Sequence, residues 1–442
     1  MTLVRGGILL GLIGLALLGM AGVYLVAADS TPQAAKQKIP LDDWPQWRGV
    51  DRSGVSPDSG LNTDWAARPP KLLWTAEGLG GGFASVSLAS GVIYTTGNFP
   101  DGQAVVAVDA EGGKLLWKQP ITDEPPSHSK QGSRSTPSID GKHVYAIASS
   151  GKIVCLNAAD GSEVWSKDFK SEWGGRMMSG WGFSESPLVD GDWVLCTPGG
   201  AEAMIVALDK LTGKEIWRCK APAFGPGKEG AGYSSIVISN ACGVKQYVQL
   251  VGKGLMGARA SDGKFLWGYS DIANRTANCS TPLISGDYIF CSTGYRTGAA
   301  LVKLVKSGDS IEAQEQYFKS GEEFQNHHGQ MILQDGYVYA GHGHNNGLPI
   351  CLELDSGKVV WGGTDRGVGT GSAAVACADG HLVFRYQSGE VALIEATPSE
   401  FRLKGSFKPQ FVGRDPCWAQ PVIIGGKLYL RDQDKLMCYD AK

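Results

Sequence analysis

The sequence lacks the short motifs that mark several catalytic classes. It has no Cys-x-x-Cys-His for attached haem and no Gly-x-Ser-x-Gly elbow. It also has no glycine loop ending in Gly-Lys-Ser/Thr for a phosphate, and no His-Glu-x-x-His pair for zinc. No two cysteines are adjacent. Cationic runs are missing too, and the net charge is −3. That argues against a nucleic-acid partner, because such binding depends on neutralising phosphates. Helix-favouring composition is also weak: 62 glycines and strand-like alternation throughout disfavour a helical fold.

What the chain does have is repetition. The phrase Ala207-Leu208-Asp209 through Gly213 to Trp217 reads as a strand, a tight turn and a second strand. Relatives end on Trp117, Trp165, Trp267 and Trp361, and Trp74 ends a partial copy. From Trp74 to Trp267 the tryptophans step by about 43, 48, 52 and 50 residues, and the next step is about twice that. A decayed copy is therefore expected between, at Leu304 to Gly308 followed by Tyr317-Phe318. A second phrase precedes each hairpin: a small or polar opening, an apolar strand, a Gly/Asp turn and another strand, as in Ser135 to Tyr145 and Ser186 to Val194. Two such pairs make a four-stranded sheet, and a period of 40–50 residues is that of a propeller blade.

The ends set the topology. Leu436 to Ala441 is the front half of a hairpin without its closing strand, and Pro69 to Trp74 is a closing strand without a front half. The expected fold is all-β: an eight-bladed β-propeller of four-stranded antiparallel blades, its ring closed by pairing the N- and C-terminal strands. Closure removes the free sheet edges that would template aggregation.

Ahead of the ring, Gly6 to Ala28 is an apolar stretch preceded by Arg5. It reads either as a signal peptide (residues 1–28), with Val26-Ala27-Ala28 as cleavage site, or as a retained membrane anchor. Both readings export the remainder. No cysteine follows the stretch to carry a lipid. Residues 29–43 read as a polar linker, 44–70 as a strap and 71–442 as the propeller. Trp44 and Trp47, with Arg48, form either a recognition patch or a strap that packs its indoles on the side or floor of the ring, and the strap is the simpler reading.

Ten cysteines in an exported chain ordinarily suggest disulfides. Cys155, Cys351 and Cys438, however, occupy one repeat position, where Ala107 and Ala207 stand in other copies, and read as small buried fillers. Pairing among Cys219, Cys242, Cys279, Cys377 and Cys417 stays open. Asn274-Arg275-Thr276 matches a glycosylation acceptor.

Short turns gather on one face, so the long connections, such as Lys118 to Ser133 and Ser166 to Phe183, emerge on the other. Function is expected there. The channel mouth is predicted to be ringed by Phe83, Arg134, Glu185, Tyr233, Asn278, His328, Thr370 and Trp418, with Gln420 just inside. His327, His328, His342 and His344 form the densest titratable cluster. Histidines on neighbouring loops suit zinc or copper, but no Asp or Cys completes a set, and a hydrogen-bonding role is favoured. No catalytic or metal residue is nominated.

The phrase Ala-x-Asp-x-x-Thr-Gly-Lys-x-x-Trp resembles the tryptophan-docking motif of the quinoprotein-type, PQQ-like β-propeller repeat family. The opening Trp44-Pro45-Gln46-Trp47-Arg48-Gly49, with Asn326-His327-His328-Gly329, resembles its exported PQQ-binding-like members. The resemblance implies one of two roles. Some members are quinoprotein alcohol or sugar dehydrogenases, holding pyrroloquinoline quinone over calcium. There Glu185 and Asn278 would stand for the calcium ligands, with Arg134 and Trp418 on the cofactor, but no aspartate matches the base. Others resemble the outer-membrane assembly lipoprotein, a scaffold without a cofactor that binds protein partners through its loops. The expectation is the second role: an exported, monomeric, non-catalytic scaffold, periplasmic or anchored facing the periplasm, meeting a protein or envelope partner through its long-loop face.

Overall fold

The computed structural model describes residues 43–442 except Ser129, Asp309 and Arg366. The expected leader or anchor, and the linker up to residue 42, lie outside the described residues. Among the described residues no helix is long and apolar enough to cross a membrane.

Each repeat becomes one four-stranded antiparallel sheet, and there are eight. Blade 1 runs from the inner strand Ser87–Ala89 through Val92–Phe99 and Gly102–Asp109 to the outer strand Leu115–Pro120. Blades 2 to 7 follow at 138–168, 188–219, 237–269, 283–320, 331–362 and 373–407. Blade 8 takes Val422–Ile424, Lys427–Asp432 and Lys435–Asp440 from the C-terminus and its outer strand, Lys71–Ala76, from the N-terminal end. Leu72 pairs with Tyr439 and Trp74 with Cys438, which closes the ring.

Between blades the repeated Trp and Gly explain each other. Gly213 has φ +69°, and a Cβ there would lie 2.7 Å from the Trp165 ring of the preceding blade. Glycine is thus required both for the turn and for the indole it receives. Trp165 Nε1 then donates to the Lys210 carbonyl at 3.0 Å, and Trp117, Trp217 and Trp361 donate likewise to Ala158, Ala260 and Thr397. Tyr317 fills the decayed position: its ring covers Gly357 and its hydroxyl donates to Leu354 O at 2.6 Å.

Every outer pair also carries a register shift one residue before the aromatic position, or at its equivalent in blade 7. The extra residue turns outward, leaving Leu73, Leu116, Val164, Ile216 and Val360 exposed. A bulge at each edge strand twists its unpaired groups away from other sheets.

All ten cysteines are free thiols, eight of them buried. Burial pushes the Cys155, Cys351 and Cys438 thiols up to about 12, which keeps them inert fillers.

The N-terminal strap does more than pack against the side or floor. Asp43 Oδ1 accepts from Ser90 N at the short-turn face, and Trp44 bridges Leu88 on the inner strand of blade 1. The chain then turns inside the central channel and leaves along blades 7 and 8, where Val55 bridges Cys377 and Asp58 accepts from Gly425 and Gly426. At the turn, Arg48 and Arg52 take left-handed backbone (φ 62° and 61°) and are buried. Arg52 donates to the carbonyls of Ser186, Pro187 and Ile236, and Arg48 to that of Met331. The carbonyls facing the channel axis thereby gain charged donors.

Candidate functional site

The mouth of the channel is built on a hydrogen-bonded ring just before the inner strands. Ser85 N donates to Thr136 Oγ1 at 3.1 Å, Thr136 N to Ser186 Oγ at 2.9 Å and Ser186 N to Ser235 Oγ at 3.0 Å. Thr281 N donates to Gln330 Oε1 at 2.7 Å, and Ser85 Oγ to Gln420 O at 2.8 Å. These contacts join five of the eight seams between blades: 1 to 2, 2 to 3, 3 to 4, 5 to 6 and 8 to 1. Extended chain alternates its side chains with period two, so the residue two positions before each ring member also faces the axis. These are Phe83, Arg134, Ser184, Tyr233, Cys279, His328 and Trp418, and all of them line one cavity of about 460 Å³.

Of the expected mouth residues, Phe83, Arg134, Tyr233, His327, His328, His344, Trp418 and Gln420 meet in this cavity. Glu185 and Asn278 do not, each being one residue out of register. A one-residue slip sends the side chain to the opposite side. Glu185 is buried inside its blade, accepting from Thr197 N at 2.6 Å, Thr197 Oγ1 at 2.8 Å and Gln249 Nε2 at 3.1 Å. Burial raises its carboxyl to about 7, against the pull of those bonds and of Arg52. Asn278 is fully buried, its amide donating to Val251 O and its Oδ1 accepting from Asn274 N. Asn274 is itself buried with its amide on Ala277 O, which disfavours its use as a glycan acceptor. Thr370 is exposed outside the lining. His342 is buried beneath it, with Nδ1 accepting from Gln325 N at 3.1 Å.

Sequence reasoning missed Trp47, which reaches the cavity from below through the channel and donates to Thr281 Oγ1 at 3.4 Å. It also missed Lys130, Trp181 and Tyr295. Lys130 and Trp181 sit on long connections already singled out, but which loop residue turns inward is not written in loop length.

The walls are rings. Phe83 lies 4.8 Å from Trp418, Trp418 4.6 Å from His328, His328 4.2 Å from His327, His327 4.0 Å from His344 and His344 4.4 Å from Tyr295. Trp181 and Tyr233 meet edge-on opposite, and Tyr233 OH bonds Ser179 Oγ at 2.7 Å. The neighbouring imidazoles lie tilted against one another, by 47° and 41°. His327 bonds Asn345 Oδ1 through Nδ1 and Tyr295 OH through Nε2, both at 3.1 Å. Among the described residues no three His, Cys, Asp or Glu are placed to hold a metal ion. Burial and neighbouring imidazoles depress His327 far below its ordinary range and His328 to about 3, so both are neutral rings at physiological pH.

Arg134 is the fixed cation. Its Nη1 donates to Gly132 O and Trp181 O, both at 3.0 Å, its Nη2 to Lys130 O, and the guanidinium lies 5.4 Å over Phe83. Burial lowers it to about 10, which leaves it charged at neutral pH.

Calcium takes hard oxygen ligands, carboxylates foremost. Among the described residues the lining contains no Asp or Glu, and the two residues nominated as ligands have their oxygens engaged inside the blades. The cavity's donor set therefore does not fit calcium, and no step is routed through it.

A closed eight-bladed ring with tryptophan-docked blades, strapped through its channel and open at an aromatic mouth, defines a propeller of the PQQ-like repeat class. More particularly, the family model described as outer membrane protein assembly factor BamB matches residues 101–363, more than half of the chain, and the chain belongs to that family. It is 22% identical over 325 residues to outer membrane protein assembly factor BamB of Bordetella pertussis, covering 72% of each chain. It is 29% identical over 146 residues to quinohemoprotein alcohol dehydrogenase ADH-IIG of Pseudomonas putida, spanning 30% of this chain but 19% of that protein. A match to BamB of Kangiella koreensis, 28% identical, spans 31% of each chain. Among solved structures, BamB from Moraxella catarrhalis superposes with TM-score 0.59 at 13% identity, covering 84% of this chain and 98% of that one. Quinohemoprotein alcohol dehydrogenase from Comamonas testosteroni gives 0.64 at 13%, covering 90% and 80%. At such identities these likenesses show the fold alone.

Proposed function

We propose that this chain is a non-catalytic propeller of the cell envelope that docks a protein or envelope partner through its long-loop face, without a cofactor. It works exported, in the periplasm or tethered facing it, as a monomer. Residues 1–28 serve as signal or anchor, 29–43 as linker, 44–70 as strap and 71–442 as propeller. Membership of the BamB family supports an envelope partner. The observation that carries the reading is the composition of the mouth: rings and two basic side chains, Lys130 and Arg134, without one carboxylate among the described residues. The dehydrogenase alternative needs carboxylate for calcium and for a base. Aromatic and Arg side chains in a concave, rigid setting are instead the composition of binding hot spots.

The test is capture from an envelope extract by wild type, a mouth variant (Arg134→Glu with Trp418→Ala) and a floor variant (Lys142→Glu). A partner retained by wild type and floor variant and lost by the mouth variant is expected. Identical capture by all three overturns the docking face. Dye reduction with added pyrroloquinoline quinone, calcium and an alcohol or sugar overturns the non-catalytic reading.

A further inference from the structure

Arg134 lines the cavity without a counter-charge. Three of its five N–H donors go to main-chain carbonyls, Nη1 to Gly132 and Trp181 and Nη2 to Lys130. Its Nε hydrogen and second Nη2 hydrogen have no acceptor among the described residues, and no nitrogen of the side chain is sealed away without a partner. The ionisable groups that act on it are Tyr233 and Cys279, and burial raises both, Cys279 to about 12. Neither is an anion at neutral pH. With no Asp or Glu among the described lining residues, the guanidinium stays an uncompensated cation, and Lys130 adds to it. Such a half-buried charge favours an anionic ligand, because a charge-assisted hydrogen bond is stronger than a neutral one.

Two further observations define what carries the anion. The guanidinium lies 5.4 Å over the Phe83 ring, and Phe83 lies 4.8 Å from Trp418. The ligand's anion and its apolar group must therefore sit within one residue's reach of each other. Neighbouring side chains of an extended segment point to opposite sides, so an acidic residue beside an aromatic one delivers only one of the two. A chain terminus carries both on one Cα. The cavity is also closed beneath. Trp47 lines its base, and the strap holds Arg48 and Arg52 across the channel on carbonyls of blades 3, 4 and 6. A segment running through has no exit, and about 460 Å³ is room for a terminal residue or a small molecule rather than for a chain that enters and turns back. Resting on the scaffold reading above, we infer that the mouth receives the last residue of the protein partner, with its free α-carboxylate on Arg134 and an aromatic side chain against Phe83 and Trp418.

The test is calorimetric titration of the purified full-length chain with acetyl-Ala-Ala-Phe as the free acid and as its C-terminal amide. Three controls accompany them: acetyl-Ala-Ala-Ala as the free acid, acetyl-Glu-Ala-Phe-amide and phenylpropionate. The Phe acid is expected to bind about tenfold more tightly than its amide, the effect of one charge-assisted hydrogen bond, and more tightly than the Ala acid. Added salt should narrow the gap between acid and amide. Arg134→Gln should erase that gap and Arg134→Lys keep part of it, whereas Trp418→Ala should weaken acid and amide alike. Should the Arg134 variants melt early, the amide comparison and its salt dependence decide on the wild type alone. Equal binding of acid and amide, or no binding of any probe, overturns the inference. So does acetyl-Glu-Ala-Phe-amide binding as tightly as the Phe acid, which assigns the mouth to an internal acidic segment, or phenylpropionate doing so, which assigns it to a small acid. The two readings fail separately. Mouth-dependent capture of a partner with silent peptides removes only the chain end. Peptide binding with the expected preferences, and no partner captured, supports the chain-end site and counts against the scaffold reading.

Discussion

Glu185 is a carboxyl stored inside a sheet, and its titration makes a measurable claim. Its folded value of about 7 stands above the ordinary 4.5. A raised folded value means that the folded state holds the proton longer than the unfolded chain. The stability it contributes is complete below pH 4.5 and is lost as pH rises through about 7. Glu185→Gln has no such slope, so its unfolding free energy relative to wild type should climb between pH 5 and pH 8 by an amount on the order of 2–3 kcal/mol, with its melting temperature rising accordingly. Parallel melting curves for the two proteins across that range would refute it. The same residue shows how far sequence reading goes at this scale. Placing the mouth residues just before the inner strands nominates six residues that line the cavity: Phe83, Arg134, Tyr233, His328, Trp418 and Gln420. Which of two neighbours faces the axis was not legible, because Ser184-Glu185 and Asn278-Cys279 each offer a polar candidate and alternation decides between them. The ring of Ser and Thr hydroxyls gives the register, but its hydrogen bonds run between blades and become visible only in three dimensions.

At the level of the element, the docking hairpin was read nearly whole from Asp, Gly and Trp, because turn and indole make local demands. Gly213→Ala forces a Cβ into the Trp165 ring and a left-handed φ on alanine. A loss of about 1–3 kcal/mol is expected in urea denaturation. The strap was legible only as a strap. Its path through the channel depends on carbonyls contributed by blades 3, 4 and 6, far away in sequence. Arg52→Met removes the charged donor from the carbonyls of Ser186 and Ile236, while Pro187 O keeps Ser138 Oγ. It should cost about 2–4 kcal/mol, the effect of two buried acceptors losing their donor, read as a lower denaturation midpoint with an unchanged slope. It should also disturb the mouth from beneath, since Trp47 rides on the same turn.

For the whole molecule, the ring exists because Lys71–Ala76 crosses to the C-terminal sheet. Blade 8 is therefore the one seam held by chain ends rather than by a hairpin. Deleting residues 435–442 removes the strand that Lys71–Ala76 pairs with and opens edges on both sides. Size-exclusion chromatography should show soluble aggregate in place of the wild-type peak. A monomeric truncated chain of native melting temperature would contradict the closure argument. The eight sheets and their closure could be inferred from two broken hairpins because a ring is the arrangement that completes both.

One consequence follows from where the chain enters. Asp43 meets the disc at the Ser90 turn, on the side away from the aromatic mouth. A partner seated in the cup would therefore meet the disc on the face opposite Asp43.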